Sequence, residues 1–181
     1  MKEFREWTVN LIYKVATGTR RIRIILTPLV GFIFFCFVLL LILTSFYLDR
    51  FFGLPAFISK PLNIAFSLPL LIGGTLLWLW CAGKFFKAKG TPVPTNPPPK
   101  LVADGPYAYS RNPMMTGLFM VMAGIGICFG SITLTFIMTP LFVFMSILEF
   151  KNLEEPELEK RFEKEYREYK KRTPIIIPKI R

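Results

Sequence analysis

Apolar and polar positions fall along this chain in long blocks rather than in a short alternation. Four nearly uncharged apolar stretches, 24–47, 62–86, 114–129 and 132–150, are each bounded by charged or turn-forming residues. A helix needs roughly 17–25 such residues to cross a bilayer, so the pattern predicts about four transmembrane helices. Ahead of them, Phe4, Trp7, Leu11 and Val15 recur at helical spacing, while Lys2, Arg5, Glu6 and Lys14 lie largely on other faces. That predicts an amphipathic helix lying in the membrane interface. It is not a signal peptide, because the apolar run that follows begins only near Ile24 and is too long for an h-region. After Glu149 the pattern changes again. Leu158, Phe162, Tyr166 and Tyr169 share one helical stripe, and Glu157 with Arg161, Glu163 with Arg167 and Glu168 with Arg172 stand four apart in the favourable order, which predicts a charged C-terminal helix.

Composition carries the same reading. Just over half the residues are apolar and the mean hydropathy is positive, so the fold class is an all-α integral membrane protein. Its regions are an interfacial segment (1–23), two membrane helices (24–86) and a third region (87–181) that carries the polar motifs. The net charge of +11 raises the question of nucleic acid, but the basic residues are divided among the segments flanking the apolar runs. Membrane orientation explains them better, and no nucleic-acid partner is expected. Arg20, Arg21 and Arg23 before the first stretch, and Lys84, Lys87 and Lys89 after the second, predict a cytoplasmic N-terminus, a cytoplasmic C-terminus and a far-side connection from Asp49 to Lys60. Cys36, Cys81 and Cys128 fall in three different apolar stretches and the chain has no histidine, which disfavours a zinc site, a histidine-held haem and a histidine-based triad.

The chemistry concentrates in two polar stretches. Gly105 to Gly117 reads G-P-Y-A-Y-S-R-N-P-M-M-T-G, between the proline-rich run Gly90 to Lys100 and the third apolar stretch. Pro113 suits the first turn of the helix that follows, which leaves Arg111 at a helix mouth beside Asn112. A guanidinium there grips a carboxylate or phosphate, or else snorkels to lipid headgroups; the stretch alone leaves both open. Glu154 and Glu155 stand just before Pro156, where an unpaired carboxylate near lipid is costly and needs a cation, a ligand or water.

Read together, these stretches resemble the isoprenylcysteine carboxyl methyltransferase family, with the phospholipid N-methyltransferases as broader relatives. The carriers are G-T-P-V-P, L-V-A-D-G-P-Y-A-Y-S-R-N-P-M, and E-E-P-E-L-E-K-R-F-E-K-E-Y-R-E-Y with a closing Ile177-Pro178, spanning about Gly90 to Pro178. The resemblance implies a membrane enzyme that binds S-adenosylmethionine and methylates a lipophilic acceptor arriving from the bilayer. Family roles carry onto Tyr107, Arg111, Asn112, Pro113, Glu154, Glu155, Phe162, Tyr166 and Tyr169, with Arg111 and Glu155 as the catalytic pair and no metal. Two positions depart from the family pattern: Met115 stands where a tyrosine is usual, and Glu163 where a glycine commonly follows the arginine-phenylalanine pair.

Methyl transfer from a sulfonium is an in-line displacement, so positioning and exclusion of water supply most of the acceleration. The sulfonium charge is lost on the way, so a carboxylate touching it would favour the ground state; Glu154 or Glu155 is better used on the ribose or amino group. Tyr107 or Tyr166 suits a cation–π contact, and Arg111 a carboxylate of cofactor or acceptor. Of the two glutamates, Glu155 is expected at the ligand, because Pro156 limits its backbone, and Glu154 on a structural cation. An acceptor carboxylate is ionised at neutral pH and needs no base, whereas a thiol or amine needs Glu155 or Tyr107 in that role. Two other readings remain: a membrane reductase using NADPH, although no G-x-G-x-x-G loop is present, and a non-enzymatic membrane scaffold.

Overall fold

The computed structural model describes residues 2–176, and within them the regular elements are helical. They are α1 (Lys2–Ala16), α2 (Arg20–Phe51), α3 (Leu62–Lys87), α4 (Pro113–Phe129), α5 (Thr139–Glu149) and α6 (Glu155–Arg172). A 3-10 turn, Gly105–Ala108, precedes α4, and wide π turns, Thr133–Met138 and Phe150–Glu154, flank α5. α2, α3 and the continuous run Thr133–Arg172 are long and apolar enough to cross a membrane, and α4 is a shorter apolar helix. At 1.5 Å per residue α4 spans about 25 Å. The chain is therefore an all-α integral membrane protein. Phe32, Phe35, Leu40 and Leu43 on α2 are exposed, which suits a helix facing lipid, where apolar side chains need no cover. Ile177-Pro178, the end of the last family motif, lies outside the described residues.

The chain forms two compact units. One comprises Phe34–Leu79 and Met114–Ser146. Here α3 and α4 touch backbone to backbone at Gly74 and Gly117. A Cβ on Gly74 would lie 2.6 Å from the Gly117 carbonyl oxygen, and one on Gly117 would lie 2.7 Å from that of Gly74, so only glycine permits the approach. Asn63 Nδ2 donates to the Cys128 carbonyl at 2.6 Å, and Phe142 packs against Phe34, Phe37 and Phe119. At the end of α2, the Asp49 carboxylate accepts from Ser131 Oγ, from the Thr133 backbone N–H at 3.0 Å and from Thr133 Oγ1 at 2.6 Å. It thus caps the run that begins at the α4–α5 turn.

The other unit comprises Met1–Ile33, Trp80–Pro113 and Ile147–Arg181, and every candidate site residue belongs to it. α1 rests on α6 and on the Phe150–Glu154 turn. Val9 and Ala16 are buried, and Lys160 Nζ reaches both Asn10 Oδ1 at 2.8 Å and the face of Tyr13. Phe4, Trp7 and Leu11 remain exposed, so the apolar stripe is left for the lipid interface. The proline-rich loop packs on the start of α2, with Thr27 Oγ1 and Thr95 Oγ1 2.9 Å apart.

α6 is not the single straight helix that its stripe predicts. Glu163 has φ 45° and ψ −114°, which breaks the helix into two arms. The fold-back is sharp: Lys170 Nζ lies 2.7 Å from Glu155 Oε2, although fifteen residues of straight helix would separate the two by about 22 Å. Of the expected i,i+4 pairs, Glu157 and Arg161 meet at 3.4 Å, whereas the corner spoils the spacing from Glu163 to Arg167, and Glu168 faces Lys164 instead at 3.9 Å.

Candidate functional site

The turn Gly105–Ala108 begins with Gly105 at φ +61°, a conformation L side chains rarely adopt. Pro106 and Tyr107 are buried beneath it, with the Tyr107 ring edge-on to Phe85 at 5.4 Å. Burial pushes the Tyr107 phenol well above its usual range, so it stays protonated. Tyr169 then fastens the turn to α6, its hydroxyl donating to the Tyr107 carbonyl at 2.6 Å and, more weakly, to that of Ser110 at 3.4 Å.

Beyond the turn, the chain is strapped to the segment that leaves α6. The Arg111 N–H donates to the Pro174 carbonyl at 2.8 Å, the Asn112 N–H to that of Ile175 at 3.0 Å, and Ser110 Oγ also to Ile175 at 2.7 Å. The backbone donors of Arg111 and Asn112 are thus taken and are not open to a ligand. Thr173, extended at φ −122° and ψ 123°, turns the chain out of α6 to make this pairing. Pro113 begins α4, as its fixed φ predicts.

Arg111 does not snorkel. Its Nη1 pairs with Glu155 Oε1, and the two side chains are only 8% and 6% exposed. The second oxygen of Glu155 takes Lys170, whose Nζ also lies 2.8 Å from Glu159 Oε1. The expected division between the two glutamates is therefore reversed in its pairing: Glu155, not Glu154, carries the cations. The cause is the geometry around Glu155. The Phe150–Glu154 turn inserts an extra residue just before α6, and the corner at Glu163 returns Lys170 to the same carboxylate. Glu154 has no cation at ion-pair distance among the described residues; burial and the neighbouring carboxyl groups of Glu149 and Glu157 oppose its ionisation, and Arg161 favours it from farther away.

Two buried donors stand beside the Arg111–Glu155 pair without hydrogen-bond partners among the described residues: Arg111 Nε and the hydroxyl of Tyr166, a residue 1% exposed. They are neighbours: the charges of Arg111 and Glu155 act on the Tyr166 hydroxyl, and the Arg111 guanidinium approaches that hydroxyl closely without reaching full hydrogen-bond geometry. An unmet buried donor costs about 1–3 kcal/mol, and two of them close together suit an anionic group such as a carboxylate. The structure thus gathers Tyr107, Arg111, Glu154, Glu155 and Tyr166 in one unit, with Asn112 and Pro113 shaping the backbone. Lys170 and the Pro174–Ile175 strap were missed in the sequence. Lys170 reads there as one more solvated charge, and only the glutamate at the glycine position of the motif hints at the corner that brings it in.

The sequence profile of the phospholipid methyltransferase family matches residues 62–165, more than half of the chain. The match starts earlier than the motif resemblance, at the beginning of α3, and includes Tyr107, Arg111, Glu154 and Glu155. No curated protein and no solved structure matches the chain. With its apolar helices and a match over more than half of its length, the chain belongs to the phospholipid methyltransferase family, to which the isoprenylcysteine carboxyl methyltransferases are related, and is a membrane methyltransferase.

Proposed function

We propose that this methyltransferase uses S-adenosylmethionine to methylate a lipophilic acceptor drawn from the bilayer, and that the acceptor group is a carboxylate, as in the isoprenylcysteine carboxyl methyltransferases. The observation that carries the reading is the pair of buried donors, Arg111 Nε and the Tyr166 hydroxyl, that stand together beside Glu155. The cofactor fits that donor set, since its amino-acid part offers a carboxylate for Arg111 and Tyr166 and an ammonium for Glu154. When bound, it supplies an electrophilic methyl group on a sulfonium.

The protein's residues then have separable tasks. Glu155 orients Arg111, because one of its oxygens is held by Arg111 and the other by Lys170. Tyr107, kept protonated and with its hydroxyl engaged by Cys81, is no base at neutral pH. With both Glu155 oxygens engaged and Tyr107 protonated, neither of the two candidate bases is free to deprotonate a thiol or an ammonium. A carboxylate acceptor, already ionised, needs neither. An acceptor that resides in the bilayer reaches a membrane enzyme without crossing bulk water, which helps to exclude water from the reaction. The basic residues flanking α2 and α3 support an orientation with both termini in the cytoplasm.

The test is incubation of the purified protein with S-adenosylmethionine labelled in its methyl group and a membrane lipid extract. The expected product is a labelled lipid that releases volatile methanol in alkali, as a methyl ester does. An alkali-stable labelled lipid overturns the carboxylate acceptor. Absence of cofactor binding by calorimetry, or binding of NADPH in its place, overturns the cofactor.

A further inference from the structure

A guanidinium and a carboxylate left to themselves favour a two-bond fork, in which both carboxylate oxygens accept, one of them commonly from Nε. Arg111 and Glu155 do not make it. Only Nη1 is engaged, through Glu155 Oε1, while Arg111 Nε is buried and without a partner. The other oxygen, Oε2, is 2.7 Å from Lys170 Nζ, and the same ammonium is 2.8 Å from Glu159 Oε1. Lys170 reaches this place only because the corner at Glu163 folds the second arm of α6 back on the first.

We infer that Lys170 is a positioning residue: by holding Glu155 Oε2 it prevents Glu155 from closing a fork on Arg111, and so keeps Arg111 Nε available to an anionic ligand beside the Tyr166 hydroxyl. Remove the ammonium, and the freed oxygen rotates onto Nε. The guanidinium is then satisfied internally, and a ligand carboxylate must displace a buried charge-assisted bond in order to bind. The lysine touches no part of the proposed ligand; it acts through Glu155. This inference rests on the reading of the site as one that binds the carboxylate of S-adenosylmethionine.

A bland role for Lys170, pinning the two arms of α6 together, predicts something different. Glu159→Gln weakens that pin and leaves the Lys170 contact with Glu155 intact, so it serves as the structural control. The experiment measures cofactor Kd by calorimetry, kcat and KM, and thermal unfolding in detergent, for Lys170→Met, Lys170→Arg and Glu159→Gln. Lys170→Met is expected to raise Kd and KM for the cofactor about tenfold with kcat within about twofold. Lys170→Arg, whose cation also reaches both carboxylates, recovers most of the affinity. Glu159→Gln lowers the unfolding temperature without moving Kd. An unchanged Kd in Lys170→Met overturns the inference, as does an equal loss of affinity in Lys170→Met and Glu159→Gln. A readout without cofactor keeps this distinct from failure of the cofactor assignment. In protein labelled with ¹⁵N-arginine, the Arg111 Nε–H resonance, identified by its loss in Arg111→Lys, should move downfield and exchange more slowly in Lys170→Met. If the wild-type protein binds no S-adenosylmethionine, the assignment of the cofactor fails, and the resonance alone decides what Lys170 does. An unmoved resonance overturns the inference.

Discussion

The hydroxyl of Tyr169 donates to the backbone carbonyl of Tyr107, 2.6 Å away and 62 residues earlier in the chain. The pair joins the second arm of α6 to the turn that leads to Arg111, and both side chains are buried. Tyr169→Phe keeps the ring and removes the donor, leaving the Tyr107 carbonyl short of a partner. A loss of about 1–2 kcal/mol is expected. It would be read as a lower unfolding temperature in detergent and a weaker cofactor affinity together, because the turn carries Arg111. Unchanged stability would mean that water satisfies the carbonyl.

Glu163 occupies a backbone conformation, φ 45° and ψ −114°, that costs a residue with a Cβ on the order of 1–3 kcal/mol. The side chain is exposed. Glu163→Gly should therefore stabilise the protein, by about 1 kcal/mol once the greater freedom of glycine in the unfolded chain is allowed for. Thermal unfolding checks the sign. A destabilised variant would show that the corner does not need left-handed backbone.

Arg111→Lys keeps the charge and loses the fork. A lysine ammonium can meet Glu155, yet it has no Nε to turn toward a ligand while doing so. The expected loss is at least tenfold in kcat/KM, about 1.4 kcal/mol. Near-normal kinetics would remove Arg111 from ligand binding.

The two adjacent glutamates should separate cleanly. Glu155→Gln leaves a buried guanidinium and a half-buried ammonium facing a neutral amide, so stability should fall by on the order of 3 kcal/mol. Glu154→Gln disturbs no ion pair among the described residues and should change the unfolding temperature little while weakening S-adenosylmethionine binding by about 1.5 kcal/mol or more. Comparing unfolding curves with binding isotherms for both variants checks the division. A stable Glu155→Gln protein would contradict the pairing described above.

For orientation, single cysteines at Ser59 and Lys100, both exposed, are expected to react with an impermeant reagent from opposite sides of sealed vesicles, once Cys36, Cys81 and Cys128 have been replaced. Ser59 should label from the far side and Lys100 from the cytoplasmic side. Labelling of both from one side would exclude the proposed orientation.

Much of the fold is legible because lipid imposes a coarse rule. Charge-poor runs such as 24–47 become helices whatever their detail, so α2 and α3 appear where the blocks fall, and the structure merely extends α2 outward to Arg20 and Phe51. The glycines of α3 and α4 announced close backbone contact, and Gly74 with Gly117 provides it. The site was legible as a set of residues but not as a wiring. Which of Glu154 and Glu155 meets a cation depends on one extra residue in the Phe150–Glu154 turn and on a corner at Glu163. Neither shifts the hydrophobic period enough to be read from spacing, because Leu158, Phe162, Tyr166 and Tyr169 look like one stripe whether the helix is straight or folded back. The strap was hidden for a similar reason, since Pro174 and Ile175 contribute carbonyl oxygens, which every residue possesses.

That strap sets a timetable. Arg111 and Asn112 emerge from the ribosome more than sixty residues ahead of the carbonyls of Pro174 and Ile175 that receive their N–H groups. At roughly 5–20 residues per second, the delay is on the order of several seconds. During it, α3 and α4 can already be lodged in the bilayer while the turn between them still presents bare amides and an uncompensated arginine. The membrane part of this protein can thus be inserted early, but its chemistry can begin only after the downstream segment has been synthesised and has folded back.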